Sequence, residues 1–187
     1  MQQGGAPRGA ERVGGAAWAL ASYIRAAYIP VGLGFVHAPW PVEPGSPRFY
    51  VPLAALAAAA GALVALRRRP WARAALAALA YQAAVLLPVL GLVDIAYLRI
   101  GPVSNHLQYL ALMGPVALVA AGVAQAVRRR PRLAWGAAAA VVALGASTFR
   151  RAQAFEGDLA LWRAAVRDAP GNAFGRVQLA NQLLEAR

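Results

Sequence analysis

Apolar residues run in long uninterrupted stretches along this chain, and the polar ones gather between them. Phe49 to Leu66 carries no charge and stops at Arg67-Arg68-Arg69. Trp71 to Val93 is a second run, Leu107 to Val127 a third that stops at Arg128-Arg129-Arg130, and Leu133 to Phe149 a fourth. Each has roughly the 17 to 25 residues that a bilayer's hydrocarbon core requires. None has the polar face at helical spacing that a buried helix of a soluble bundle would need. The pattern predicts four transmembrane helices, over 49–66, 71–93, 107–127 and 133–149. Arg73 lies close enough to the end of its helix for the charged head to snorkel out.

Before these runs the pattern is different. Residues 1–15 are Gly- and Gln-rich with Arg8, Glu11 and Arg12, and they lack a periodic apolar face; the expectation is disorder. No apolar core or small-residue cleavage pattern follows that would make a signal peptide, and a start of this kind suggests a fragment of a longer protein. From Ala16 to Val36 the chain is apolar but broken by Arg25, Pro30, Gly32 and Gly34. A central Arg costs about 2.5 to 3.5 kcal/mol on insertion scales. Trp18, Tyr23, Tyr28 and Trp40 favour the membrane interface. Residues 16–48 therefore read as an amphipathic helix lying on the outer surface, a span being the alternative, followed by a Pro-rich outer loop with Pro39, Pro41, Pro44 and Pro47 that cannot be helical.

The two Arg-rich turns, 67–73 and 128–132, hold the highest positive density and belong in the cytoplasm. The loop from Asp94 to Gln108 and everything after Phe149 then lie on the other side, with Arg150 and Arg151 opposing this weakly. Beyond residue 150 charges intersperse with apolar residues. Trp162, Ala165 and Pro170, then Leu179, Ala180 and Leu183, match the second helix of one tetratricopeptide repeat and the first helix of the next. A plain amphipathic hairpin is the alternative. A repeat of this kind needs neighbours to bury its face, so 150–187 reads as the start of an array. The expected fold is all-α: a polytopic helix bundle with about four spans and an interfacial helix, then a partial repeat region.

Composition agrees with a membrane protein. The chain has 187 residues, 60% hydrophobic and 14% charged; an ordinary soluble domain has nearer 25% charged. The net charge of +12 invites a nucleic-acid reading, but the Arg triplets each close an apolar run and precede a Pro, which marks them as topology determinants. No nucleic-acid partner is expected. Every basic residue is Arg, and cysteine is absent, which excludes disulfides, thiolate metal sites and a cysteine nucleophile. His37 and His106 are far apart and have no acids at ligand spacing, so no metal site and no cofactor are expected.

Chemistry, if present, belongs in the polar loop 94–108. It offers no Ser-His-Asp pattern, no phosphate-cradling Gly loop and no paired carboxylates. Arg99 suits a phosphate group, which a guanidinium grips with two parallel hydrogen bonds; an interfacial anchor is the plainer role. His106 can donate to a sugar or phosphate or cap the next helix. Tyr109 fits a sugar or lipid site or an interfacial position. Asp94 reads as a cap or a partner for Arg99.

Leu86-Leu87-Pro88-Val89-Leu90-Gly91-Leu92, Asn105-His106-Leu107-Gln108-Tyr109-Leu110, Trp162 and Asn172-Ala173 resemble the C-terminal half of membrane glycosyltransferases. The family in question is the transmembrane and tetratricopeptide-repeat proteins related to protein O-mannosyltransferases, with their bacterial relatives, enzymes similar to the C-fold (GT-C) class. Tyr23, Arg25, Pro30, Gly32 and Leu33 resemble that family's amphipathic helix and the Pro-Val-Gly-Leu turn after it. The resemblance implies a polyprenyl-phosphate sugar donor, a protein or peptide partner held by the repeats, and residence in the bacterial inner membrane with the C-terminal helices on the periplasmic side. It also implies that Arg99, Asn105, His106 and Tyr109 lie near the lipid phosphate. Two departures stand out. Asn105 occupies a position where the family commonly has Asp, and the family's catalytic carboxylate belongs to an N-terminal half that has no counterpart here. No catalytic residue is therefore expected in this chain.

Overall fold

The computed structural model describes residues 9–29, 45–92 and 103–185. The described residues are helical, without strands: α1 (Gly9–Tyr28), α2 (Val51–Ala65), α3 (Pro70–Leu86), α4 (Met113–Arg129), α5 (Leu133–Ala152), α6 (Asp158–Asp168) and α7 (Ala173–Glu185), with short 3-10 turns between some of them. Two compact units divide the chain, Met1–Leu33 with His37–Val116, and Gly34–Val36 with Ala117–Arg187.

In the first unit α2 and α3 pack as a hairpin closed by the Arg67–Arg69 turn. α2 is Ala- and Leu-rich, residues that lose little on entering a helix. It is apolar all round and buries none of its residues against the protein, which is the pattern of a helix solvated by lipid. α3 starts with Pro70 at its first turn, where the missing N–H is not needed. It stops at Leu86 because Pro88, two residues on, lacks the N–H a further turn would use; a 3-10 turn over Leu87–Val89 follows, then Gly91 at φ 85°. Only one face of α3 is buried, through Ala72, Ala78, Gln82 and Leu86.

α1 lies across the hairpin's open end, away from the Arg turn. Its partners show this. Gly14 abuts the Phe49 ring, the Trp18 indole N–H donates to the Phe49 carbonyl at 2.9 Å, and Arg12 donates to the Leu92 carbonyl at 3.1 Å. Ala16, Ala19 and Tyr23 share a core with Leu86 and Leu90 from the end of α3 and with Val103 and Ala111. Small residues on α1 let the helices approach closely.

Three helical stretches are long and apolar enough to cross a membrane among the described residues: Pro47–Ala65, Pro70–Val89 and Leu133–Phe155. The first two match the expected spans at 49–66 and 71–93 within a few residues, although the end of the second, at 93, lies outside the described residues. The fourth expected span extends further than 149. Nothing in the apolar window of Leu133–Phe155 is buried inside the protein, and Trp135 is 82% and Val142 71% exposed, a contiguous apolar surface of a kind that marks a membrane or interaction face.

Two expectations need correction. The third run, 107–127, is not one long helix: Asn105–Gln108 is a 3-10 turn, and α4 begins at Met113 and has 17 residues, about 26 Å at 1.5 Å each. Pro115 explains the late start, since it has no N–H to give to the Ala111 carbonyl. The disorder expected for 1–15 fails from Gly9 onward, where α1 is already helical. Its first turns are held by Phe49 and Leu92, partners that no local pattern reveals. Residues 1–8 lie outside the described residues, as do most of those expected to form the Pro-rich outer loop.

In the second unit α6 and α7 form an antiparallel hairpin packed on each other.

Candidate functional site

The segment 103–111 sits at the open end of the α2–α3 hairpin, fixed there by polar contacts inside an apolar core. Tyr23, on α1, is 2% exposed. Its phenolic oxygen accepts from the Ser104 N–H at 2.9 Å, and its backbone carbonyl accepts from the Gln108 side-chain amide at 2.6 Å. Ser104 and Gln108 are themselves buried. Buried polar groups persist where their bonds are made, and here one aromatic residue satisfies two groups of the 103–111 segment. The Ser104 hydroxyl does not cap the 3-10 turn that follows it; it lies 2.7 Å from His106 Nδ1. A little further along, the Tyr81 hydroxyl donates to the Leu110 carbonyl at 3.2 Å, and a Cβ on Gly114 would meet the Ala78 carbonyl at 3.1 Å. α3 and the start of α4 are therefore in close contact.

This arrangement brings three of the four expected lipid-phosphate residues to one place. Asn105 is half-buried, His106 is exposed beside Ser104, and Tyr109 is 73% exposed. Arg99 lies outside the described residues, as do Asp94 and His37. Among the described residues no group of three His, Cys, Asp or Glu side chains is placed to hold a metal. Ser104 and His106 form a hydroxyl–imidazole pair. The groups gathered here, a hydroxyl, an imidazole, an amide and a phenol, can donate and accept hydrogen bonds.

Sequence reasoning missed the residue that anchors the segment. Tyr23 had read as an interfacial aromatic, and nothing local distinguishes it from Tyr28, which is exposed. Gln82 was also missed, though a single amide within an otherwise apolar run is a visible signal. It is 1% exposed, and its side-chain NH2 has no hydrogen-bond partner.

In the second unit, Trp162 on α6 packs edge-to-face on Phe174 of α7, ring centroids 5.7 Å apart. Ala165 and Gly175 are buried, with Val166 3.8 Å from where a Gly175 Cβ would stand. Asn172 caps α7, its side-chain oxygen accepting from the Gly175 N–H at 3.1 Å. Of the expected repeat-packing residues, Trp162 and Ala165 lie in the hairpin and Leu179 is half-buried, whereas Pro170, Ala180 and Leu183 are exposed. The described residues contain one such hairpin and no stacked array.

No family model, curated protein or solved structure matches this chain.

Proposed function

We propose that the chain corresponds to the C-terminal, non-catalytic portion of a polyprenyl-phosphate-sugar-dependent membrane glycosyltransferase of the protein O-mannosyltransferase type. In this reading it resides in a bacterial inner membrane. The segment around Asn105, His106 and Tyr109, together with Arg99, faces the lipid phosphate of the donor on the periplasmic side, and the α6–α7 hairpin opens a tetratricopeptide array that engages the acceptor or a partner protein. The observation that carries the reading is the buried tie from Tyr23 to Ser104 and Gln108, which holds polar side chains rigidly at the end of the spans away from the arginine turn. Residues 107–127 supply the fourth crossing, α4 together with the turns before it, because Arg128–Arg130 belongs on the same side as Arg67–Arg69.

Binding of a polyprenyl phosphate to the protein in nanodiscs tests this. Charge-assisted hydrogen bonds are worth about 1.5 to 3 kcal/mol, so Arg99→Ala weakens binding roughly tenfold or more. Arg48→Ala, which removes the same charge from the segment before α2, has a much smaller effect. Equal losses, or no binding by the parent protein, reject the donor site. A second reading, a membrane-anchored repeat scaffold without transfer activity, draws support from Val177, Leu183 and Leu184, which are exposed on α7. Loss of the lipid-binding result together with retained peptide binding by the α6–α7 region favours it.

A further inference from the structure

The turn between α2 and α3 carries four arginines within seven residues, Arg67, Arg68, Arg69 and Arg73, all exposed. None of these side chains has a hydrogen bond or an ion pair among the described residues. The hairpin has no carboxylate of its own to supply one, because no acidic residue stands between Glu43 and Asp94. Glu11 of α1 lies at the hairpin's other end, roughly 22 Å away, the length of the 15 residues of α2. That is more than twice the Debye length of about 8 Å at physiological salt.

The backbone of the turn is fixed. The Arg67 N–H donates to the Val64 carbonyl at 3.1 Å and the Arg69 N–H to the Leu66 carbonyl at 2.8 Å, and the Arg69 carbonyl accepts from Ala72 at 3.1 Å and Arg73 at 3.2 Å. The last bond sets Arg69 and Arg73 one helical turn apart, a spacing at which like charges repel. A guanidinium grips phosphate with two parallel hydrogen bonds, so one phosphate shared by the pair offsets a repulsion that the protein leaves uncompensated.

The helices that the turn joins set its depth. Pro47–Ala65 and Pro70–Val89 are each long and apolar enough to cross a membrane. The turn ends the first and begins the second, which puts it at the headgroup level of one leaflet. Trp71, 58% exposed, is a residue type that favours this level. Val64 and Leu66, exposed just before the arginines, offer apolar surface to acyl chains.

We propose that the α2–α3 turn binds an anionic phospholipid, its phosphate held by the Arg69 and Arg73 guanidiniums and an acyl chain lying against Val64 and Leu66. Arg67 and Arg68 add to the attraction. The site requires both helices to cross the membrane and nothing of the glycosyltransferase reading.

Native mass spectrometry of the full chain in detergent, with phosphatidylglycerol or phosphatidylcholine added, tests the proposal whichever side of a membrane the turn occupies. Phosphatidylglycerol is retained in clear preference to phosphatidylcholine. Arg69→Gln together with Arg73→Gln lowers that retention about tenfold or more, as loss of a charge-assisted hydrogen bond predicts. Arg163→Gln together with Arg176→Gln removes the same two charges from α6 and α7 and leaves retention unchanged. Arg69→Lys together with Arg73→Lys keeps the charge without the planar fork and retains less lipid than the parent. Equal retention of the two lipids, or equal effects of the two Gln pairs, overturns the proposal. Full retention by the Lys pair overturns it too, because diffuse positive charge would then suffice. Displacement of the lipid by inorganic phosphate at the same concentration likewise overturns it and gives the turn to a soluble anion.

Discussion

The Gln108 side-chain amide donates to the Tyr23 backbone carbonyl at 2.6 Å, both residues buried and 85 positions apart in the chain. The same Tyr23 accepts from the Ser104 N–H through its phenolic oxygen. One residue on α1 thus fixes both ends of a 3-10 turn on which His106 is displayed. A buried donor stripped of its acceptor costs about 1 to 3 kcal/mol. Tyr23→Phe removes one acceptor while keeping the ring in the core, so it is expected to destabilise by about that amount. The measurement is thermal unfolding of the purified protein in detergent. An unchanged midpoint would mean the Ser104 N–H has another partner available and that the tie is not what fixes the turn.

Close helix approach makes the second prediction. A Cβ on Gly14 would meet the Phe49 ring, with Cδ1 at 2.7 Å, and the Tyr50 ring at 3.2 Å. Phe49 is 2% exposed and its ring lies edge-on to Tyr50 at 5.5 Å, so it has little room to yield. Overpacking of this kind typically costs about 1 to 3 kcal/mol. Gly14→Val is expected to separate α1 from α2 and raise proteolysis within α1, whereas Gly9→Ala, with open space around it, has no such effect. Equal protease resistance in the two variants would refute the packing role.

How much of this was legible in the sequence depends on whether the determinant was local. The bounds of α2 and the start of α3 were readable, because an unbroken apolar run, an Arg triplet and Pro70 act within a few residues of where they stand; the end of α3 at Leu86 was not, since the expected span ran on through Pro88 to 93. Leu133 onward was readable for the same reason, except that the helix persists past Phe149 through Arg150 and Arg151. Gly9 to Gly15 was not, since Gly and Arg there carry no helical signal and the helix is held by Phe49 and Leu92, distant in sequence. The third run misled because Leu107, Leu110 and Leu112 look helical, while Pro115 and the tie from Gln108 to Tyr23 set the start of α4 at Met113. The candidate site was legible as a polar loop with Asn105, His106 and Tyr109, but its support by Tyr23 was not.

Gln82 supplies a third prediction. Its side-chain NH2 is buried without a partner, on the α3 face between Ala78 and Leu86. Replacing a buried unsatisfied polar group by an apolar one of similar shape is neutral or stabilising. Gln82→Leu is therefore expected to raise the unfolding midpoint or leave it alone. A loss of more than about 1 kcal/mol would show that the amide finds a partner in the bilayer-embedded protein, and would point to a role for it there.

The α7 cap gives a fourth. Asn172 is the residue before the helix, and its side chain bonds the third N–H of α7. Replacing such a cap by Ala costs about 0.5 to 2 kcal/mol. Asn172→Ala should loosen the α6–α7 hairpin, and Asn172→Ser should restore most of the loss, since Ser also caps well. Hydrogen exchange at the Gly175 amide reads both. Protection unchanged in Asn172→Ala would make the cap dispensable.

Membrane topology is the most consequential prediction. The arginine turns 67–73 and 128–132 are the densest positive segments, and short positive segments stay on the cytoplasmic side. α1 lies at the end of the α2–α3 hairpin opposite the first of these turns, so α1 and the Ser104–His106 segment belong outside. Residues after α5 belong outside as well if 107–127 crosses, because α5 leaves from the second cytoplasmic turn. Reporter fusions separate the alternatives: a reporter active only after export should respond at Ala169 and at Gly45, and one that folds only inside should respond at Arg69 and Arg130. Inside-type signal at Ala169 with outside-type signal at Gly45 would mean that α4 does not cross, leaving three spans. Inside-type signal at Gly45 would instead invert the whole arrangement and remove the outer face on which His106 and Tyr109 are placed.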